Sequence, residues 1–218
     1  MLRDTFANVR TWVFDLDHTL YPPRMGLFDQ IESRMTAYVV RELGVSVAAA
    51  NDMRKRYWAT YGTTLAGLMR VHGIAPDPFL DEVHDIDFTV LDPDPDLAVA
   101  LAALPGRRIV YTNGCAPYAR EVIAARGLSG LFDAIYGIEH ANYRPKPEAE
   151  AFDQVFAIDG FDKTQAAMFE DDPRNLKVPF DMGLKTVLVE DDDADTVGGG
   201  HIQHQTSDLS GFLKQLLG

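Results

Sequence analysis

Residues 12–21 read Trp12-Val13-Phe14-Asp15-Leu16-Asp17-His18-Thr19-Leu20-Tyr21. The apolar run Trp12–Phe14 has the length and side chains of a short buried strand, and it delivers two carboxylates, Asp15 and Asp17, where it ends. Thr19 follows two residues later. Acidic residues are poor strand formers and expensive to bury. Two of them at the end of a core strand need a compensating partner, and a divalent cation is the obvious one. One Asp here would read as the start of a surface loop. The Asp-x-Asp-x-Thr spacing, together with the groups downstream, reads as chemistry.

Working outward, residues 22–91 are helical in pattern. Leu27, Ile31, Met35, Tyr38, Val39 and Leu43 recur at three- and four-residue spacing up to Gly44,. Ser46 opens a second helix, stopped at Gly62. Thr63 or Thr64 opens a third that ends at Gly73, and Asp77-Pro78 caps a fourth,. From Asp92 the rhythm changes to alternating helix and strand. Strands are expected at Arg107–Thr112, Ala134–Ile138, Ala166–Glu170 and Lys185–Glu190, with helices after Asp94, Pro117 and Pro147. Such alternation marks a parallel sheet wrapped by helices, with ligands at the carboxyl ends of the strands. The expected organisation is therefore a Rossmann-like α/β core, residues 1–21 and 92–218, interrupted by an all-helical unit, residues 22–91. The run Glu190-Asp-Asp-Asp-Ala-Asp195 before Gly198–Gly200 reads as a solvated loop,.

Composition narrows the function classes. The 218 residues carry a net charge of −13 at pH 7, which argues against a nucleic-acid or anionic-membrane partner, since either needs a basic face. No apolar stretch approaches the roughly 20 residues of a membrane span, and Met1–Phe6 is not expected to open a secretory signal,. A single cysteine, Cys115, fits a reducing cytoplasm,. An anionic small substrate remains compatible with this charge, because a metal and a few local cations can reverse the sign inside one pocket; nothing in the sequence specifies an oligomeric state.

Four strand ends supply a coherent set of groups. The first gives Asp15 and Asp17. The second gives Thr112-Asn113-Gly114, a hydroxyl and an amide on a tight turn. The loop after the third holds Lys146 between Pro145 and Pro147, and the fourth gives Glu170-Asp171-Asp172-Pro173-Arg174-Asn175. Each piece alone is an ordinary turn, loop or helix start. Together they are what phosphoryl transfer to water through an aspartyl-phosphate requires.

The ordered set Asp-x-Asp-x-Thr, Thr-Asn-Gly, Lys, Asp-Asp resembles the haloacid dehalogenase superfamily of Mg-dependent phosphohydrolases, over nearly the whole chain. Phe14-Asp-Leu-Asp-His-Thr-Leu-Tyr-Pro22, Tyr61-Gly-Thr-Thr-Leu-Ala-Gly-Leu68, Val83-His-Asp-Ile-Asp87, Asp92-Pro-Asp-Pro-Asp-Leu97, Arg144-Pro-Lys-Pro-Glu148 and Asp171-Asp-Pro-Arg-Asn175 are similar to its pyrimidine 5′-nucleotidase branch. The resemblance implies a core with an inserted helical cap of the C1 type. It implies Asp15 as nucleophile and Asp17 as acid and base. Thr112, Asn113 and Lys146 would bind the phosphoryl group, and Mg²⁺ would be held by Asp15, the Asp17 carbonyl and Asp172. Asp172 is favoured because Asn175 then falls three residues later, with Asp171 behind it or in its place. His18 stands where relatives often carry Asn or Gly and is expected as a neutral spacer.

Asp17 argues against dehalogenation, because the carbon–halogen relatives carry no acid there. Lys55, flanked by Arg54 and Arg56, is the only cap lysine available for phosphonate chemistry and reads as a polar helix face. From Arg24 to Arg70 seven basic residues face four acids, so the cap is cationic within an acidic chain. Tyr61, Thr64, Arg70, His72 and His84 are the candidates for contacting a base or sugar. A pyrimidine nucleoside monophosphate is the expected substrate, with a sugar phosphate or phosphoglycolate as the alternative and a phosphomutase behind both. A phospho-accepting receiver domain uses similar groups in the opposite order, which disfavours it.

Overall fold

The computed structural model describes residues 2–190 and 199–217. Its centre is β1 (Thr11–Phe14), whose four residues are all buried. β2 (Arg107–Tyr111), β3 (Ala134–Tyr136), β4 (Ala166–Glu170), β5 (Lys185–Val189) and β6 (His204–Thr206) complete one sheet in the order β3-β2-β1-β4-β5-β6, and every neighbouring pair runs parallel. Burial on both faces explains why β1 and β4 read as near-continuous apolar runs rather than alternating ones. One face seats Trp12, Phe14, Phe169 and Val187 against Leu101, Val122 and Phe212. The other seats Val13, Ile109, Tyr111 and Met168 against Phe152, Phe156 and Leu176.

The α/β alternation is as expected, with local corrections. β3 stops at Tyr136 because the Gly137 N–H donates to His140 Nδ1 at 3.1 Å and the chain turns into a 3-10 segment, Ile138–Ala141. Three elements were not anticipated: α1 (Leu2–Phe6), β6, and a helix at the end of the chain. The acidic run after Glu190, residues 191–195, lies outside the described residues.

Between β1 and β2 the chain passes through α2 (Leu27–Leu43), α3 (Val47–Tyr61), α4 (Thr64–His72) and α5 (Pro76–Val83). Their ends follow elementary capping. The Ser46 hydroxyl accepts from the Ala49 N–H at 3.2 Å and that of Thr63 from the Ala66 N–H at 3.0 Å, while Gly44 and Gly73 close helices in the left-handed conformation,. The last start differs from expectation. α5 begins at Pro76 after Ala75, and the Asp77 carboxylate accepts from the Tyr143 hydroxyl instead of capping the helix. α6 (Pro95–Ala103) starts on Asp94, which accepts from the Leu97 N–H at 2.9 Å. α7 (Ala116–Ala125), α8 (Ala149–Asp159), α9 (Lys177–Asp181) and α10 (Leu209–Leu217) follow the later strands. Among the described residues no helix is long and apolar enough to cross a membrane.

The cap helices pack α2 on α3, α2 on α5 and α3 on α4. The last contact depends on Gly67, where an added Cβ would lie 2.2 Å from Tyr57 Cγ. Gly67→Ala therefore sets a helix-propensity gain of about 1 kcal/mol against an overpacking cost of about 1–3 kcal/mol. With the added Cβ so close to the Tyr57 ring, overpacking should win: the urea midpoint of the variant falls, by a margin corresponding to up to about 2 kcal/mol.

Candidate active site

Because β1 lies between β2 and β4, the carboxyl ends of three strands meet, and the groups that follow them are brought together. Asp15 continues the ladder, its N–H donating to Phe169 O at 2.9 Å, so its side chain is fixed by the sheet itself. Thr112 follows β2, fully buried, and its hydroxyl accepts from the Gly114 N–H at 2.9 Å, shaping the turn. Glu170 is the last residue of β4 and is buried as well.

Lys146 joins these ends. Its ammonium is 1% exposed and donates to Asp15 Oδ1 (2.6 Å), Glu170 Oε2 (2.8 Å) and the Tyr111 carbonyl (3.0 Å). An ammonium has three N–H donors, and all three are used. Burial opposes its charge, yet the carboxylates of Asp15 and Glu170 outweigh that and push its pKa up, so it stays charged. The loop carrying it is clamped by Asn113: the Lys146 N–H donates to Asn113 Oδ1 (2.8 Å), and Asn113 Nδ2 donates to the Lys146 carbonyl (3.2 Å). The bonds that the Asn113 side chain makes are thus to the lysine loop, a positioning role not expected from the sequence.

The acid cluster is also not the one expected. Ligand atoms of Asp15, Glu170 and Asp171 lie within 4.8 Å of one another. Asp172 does not join them. Its carboxylate accepts from Arg174 Nε (3.0 Å) and Nη2 (2.6 Å) and from the Arg174 N–H (3.0 Å), capping the turn Pro173–Leu176. The register assigned from Asn175 fails for a visible reason. That amide reaches five residues back, Nδ2 donating to Glu170 Oε1 at 2.6 Å. Asp171 is thus the acid that faces Asp15. His18, at φ 60°, is no spacer: its Nδ1 stands 3.6 Å from Asp171 Oδ2, and its ring meets Phe28 edge-on.

Three carboxylates against one ammonium leave two negative charges uncompensated. Burial, above all, raises the Asp15 pKa to about 7, with Lys146 opposing and Asp171 and Asp17 adding to it. A hard divalent cation such as Mg²⁺ fits this donor set in charge and in chemistry. Held by Asp15 and Asp171, it would supply a compact positive charge beside the Asp15 carboxylate.

Asp17 stands apart from that cluster. Its Oδ1 accepts from the hydroxyls of Tyr21 (2.6 Å) and Tyr118 (2.5 Å). Neither tyrosine was singled out from the sequence. Tyr21 lies within the opening stretch, but Tyr118 is 101 residues away on α7, and no local pattern links it to Asp17.

The five cap candidates separate. His84 stacks on Tyr118 (ring centroids 4.1 Å apart, planes 7° apart), and its Nδ1 is 3.3 Å from Cys115 Sγ. Arg70 pairs with Glu148 beside the lysine loop, with its guanidinium 5.5 Å from the Tyr61 ring centroid. Thr64 is buried at the start of α4. His72 Nε2 lies 2.6 Å from the Tyr57 hydroxyl, within the cap. Only His84 reaches the acid Asp17, and it does so through Tyr118.

Burial pushes the His84 imidazole down to about 4. A histidine kept neutral in the fold but protonated when unfolded costs stability as pH falls, beginning near its ordinary 6.5 and complete below about 4,. His84→Phe keeps a ring on Tyr118 but cannot titrate. The wild-type stability lost between pH 6.5 and 4 should therefore be reduced in this variant by on the order of 2 kcal/mol, read as urea midpoints at both pH values.

Known proteins share this fold. The curated yeast protein "Phosphate metabolism protein 8" (Saccharomyces cerevisiae) is 24% identical over 230 residues, covering 95% of this chain and 70% of that protein. A phosphatase from Thermococcus onnurineus has the same fold, with TM-score 0.66 at 17% identity over 96% of this chain and 98% of that one. So does the hydrolase YfnB from Bacillus subtilis, whose structure contains magnesium: TM-score 0.61, 17% identity, 95% and 98% coverage. A family model, "haloacid dehalogenase-like hydrolase", matches residues 9–179, which include Asp15, Asp17, Thr112, Lys146, Glu170 and Asp171. The chain belongs to the haloacid dehalogenase-like hydrolases.

Proposed function

We propose that this chain is a Mg²⁺-dependent phosphomonoesterase that works through an aspartyl-phosphate on Asp15, with residues 22–91 as its cap and residues 1–21 and 92–218 as its core. The observation that carries the reading is the placement of Asp15. It is fixed on one side by the fully engaged Lys146, faces Asp171 on the other, and has a second carboxylate, Asp17, two residues on and held by different partners.

In this reading Asp15 attacks phosphorus; the P–O bond to Asp15 forms as the bond to the leaving oxygen breaks, and Asp17 gives that oxygen its proton. Water then attacks the phosphoryl group, Asp17 takes a proton from it, and the Asp15 carboxylate and inorganic phosphate are released. Lys146 holds positive charge against Asp15 throughout, and Thr112 with the neighbouring N–H groups offers donors to the phosphoryl oxygens. Mg²⁺, when bound at Asp15, Asp171 and the Asp17 carbonyl, adds charge stabilisation there.

For substrate we propose a pyrimidine nucleoside 5′-monophosphate. What supports it is the run of motifs that resemble that branch, including Tyr61–Leu68 and Val83–Asp87 in the cap, together with the cation-rich cap. The curated yeast relative, named for phosphate metabolism, is compatible with phosphate-ester chemistry. A sugar phosphate or phosphoglycolate is the second reading.

Two measurements test this. In a screen with Mg²⁺ and p-nitrophenyl phosphate, UMP, CMP, AMP, GMP, phosphoglycolate and hexose phosphates, UMP and CMP should lead and EDTA should stop turnover. Phosphoglycolate or hexose phosphates in the lead would displace the nucleotide assignment. Asp15→Asn should lower kcat at least about 1,000-fold, and activity retained in that folded variant would remove the covalent route. The metal assignment is checked by titrating Mg²⁺ against rate. Asp171→Asn should raise the half-saturating concentration at least about 10-fold, while Asp172→Asn should shift it less.

A further inference from the structure

Both lone pairs of one oxygen of Asp17 are occupied. Tyr21 and Tyr118 each donate to Oδ1, and neither donates to Oδ2. The two hydroxyls are 3.4 Å apart, so they converge on Oδ1 from neighbouring directions. Both rings are fixed. Tyr21 is 1% and Tyr118 2% exposed. Tyr118 is held between two surfaces: a Cβ added to Gly114 would lie 2.8 Å from its ring, and His84 of the cap stacks on it at 4.1 Å, with Phe88 tilted beside it. Burial and the Asp17 charge raise both phenol pKa values, so both remain donors.

We propose that Tyr21 and Tyr118 are positioning residues for Asp17: by saturating Oδ1 they assign Oδ2 as the oxygen that exchanges the proton with the leaving group, and His84 of the cap holds Tyr118 in the orientation that does so. The proposal rests on the reading of Asp17 as acid and base. It adds which oxygen acts, what aims it, and how the cap reaches it. A carboxylate with both oxygens free rotates about its terminal torsion, which has broad, shallow preferences. Two charge-assisted hydrogen bonds to one oxygen remove that freedom and leave the other oxygen as the site of exchange. The ring stack adds a dependence on the cap. His84 follows the last turn of α5, so a cap displaced from the core uncovers one face of Tyr118 and loosens the donor on which Asp17 depends.

The test uses the leaving group. p-Nitrophenolate departs without needing a proton, whereas an alkoxide such as that of UMP does not, so misalignment of Asp17 penalises the alkyl ester selectively. The ratio of kcat/KM for UMP to that for p-nitrophenyl phosphate isolates this, because kcat/KM reports only the steps through phosphoryl transfer. If UMP is a poor substrate, the best alkyl ester in the screen above replaces it. In the full chain with Mg²⁺, Tyr118→Phe and Tyr21→Phe should each lower the ratio about 10-fold. His84→Ala should lower it in the same direction and His84→Phe should restore it. Tyr118→Phe placed on Asp17→Asn should lower the ratio no further, since the effect runs through Asp17.

A loss shared equally by both esters, no loss in either, or an undiminished effect of Tyr118→Phe on Asp17→Asn would overturn the proposal. Should Tyr118→Phe fail to fold, Tyr21→Phe decides on the same criteria. Failure of the underlying reading is separately visible: the wild-type chain would hydrolyse none of these esters with Mg²⁺, or Asp15→Asn would remain active.

Discussion

A lysine ammonium buried between two carboxylates is the constraint around which this structure is arranged. Removing three charges from water costs several kcal/mol per ion, and the cost is recovered only when geometry and hydrogen bonding are complete. Here they are. Lys146 uses all three N–H donors on Asp15, Glu170 and the Tyr111 carbonyl, and Asn175 takes the remaining oxygen of Glu170. The stiff Pro145–Pro147 loop and the paired bonds to Asn113 bring the lysine to this point. Much of what the sequence shows as separate motifs is therefore support for one buried ion triad.

The same economy governs how the cap sits on the core. Gly62, at φ 87°, lets the turn between α3 and α4 lie against the lysine loop, where an added Cβ would stand 3.0 Å from the Lys146 carbonyl. Arg70 pairs with Glu148 two residues beyond Lys146. Arg174, aligned by Asp172, lies 3.6 Å from the ring centroid of Trp58 on α3. His84 rests on Tyr118. Exposed ion pairs and cation–π contacts of this kind contribute about 1 kcal/mol or less each. None locks the cap alone; what they share is that each core partner lies within a few residues of a catalytic candidate.

How much of this was legible follows from where the information resides. β1, the helix caps at Ser46, Thr63 and Asp94, and the strand–helix alternation are set by residues close in sequence, and a reading of local patterns finds them. β6 and α10 follow the acidic run, with little local signal before them. The acidic triplet shows the limit most clearly. Spacing from Asn175 pointed to Asp172, but the amide's partner is Glu170, and Arg174 had already engaged Asp172. Which of three adjacent acids turns inward depends on partners that spacing does not describe. Asn113 likewise has side-chain partners that spacing does not show, because the fold brings the Lys146 backbone to it. The tyrosines on Asp17 come from the opening stretch and from a helix 101 residues away, a pairing that only the closed sheet creates.

That separation in sequence also orders how the site comes into being. Asp15 waits 131 residues for Lys146, and Lys146 a further 24 for Glu170. A chain synthesised from its N-terminus presents β1 first and completes the partners of the Asp15 carboxylate only once β4 has been added beside β1. Until then Asp15 is better left in water, and burying β1 early would strand an unpaired acid. Contacts so distant in sequence form late, because loop closure must precede their reward. The Asp15 carboxylate thereby gains its partners only after β4 has been made, and β1 becomes the centre of the sheet only when its neighbours on both sides have arrived.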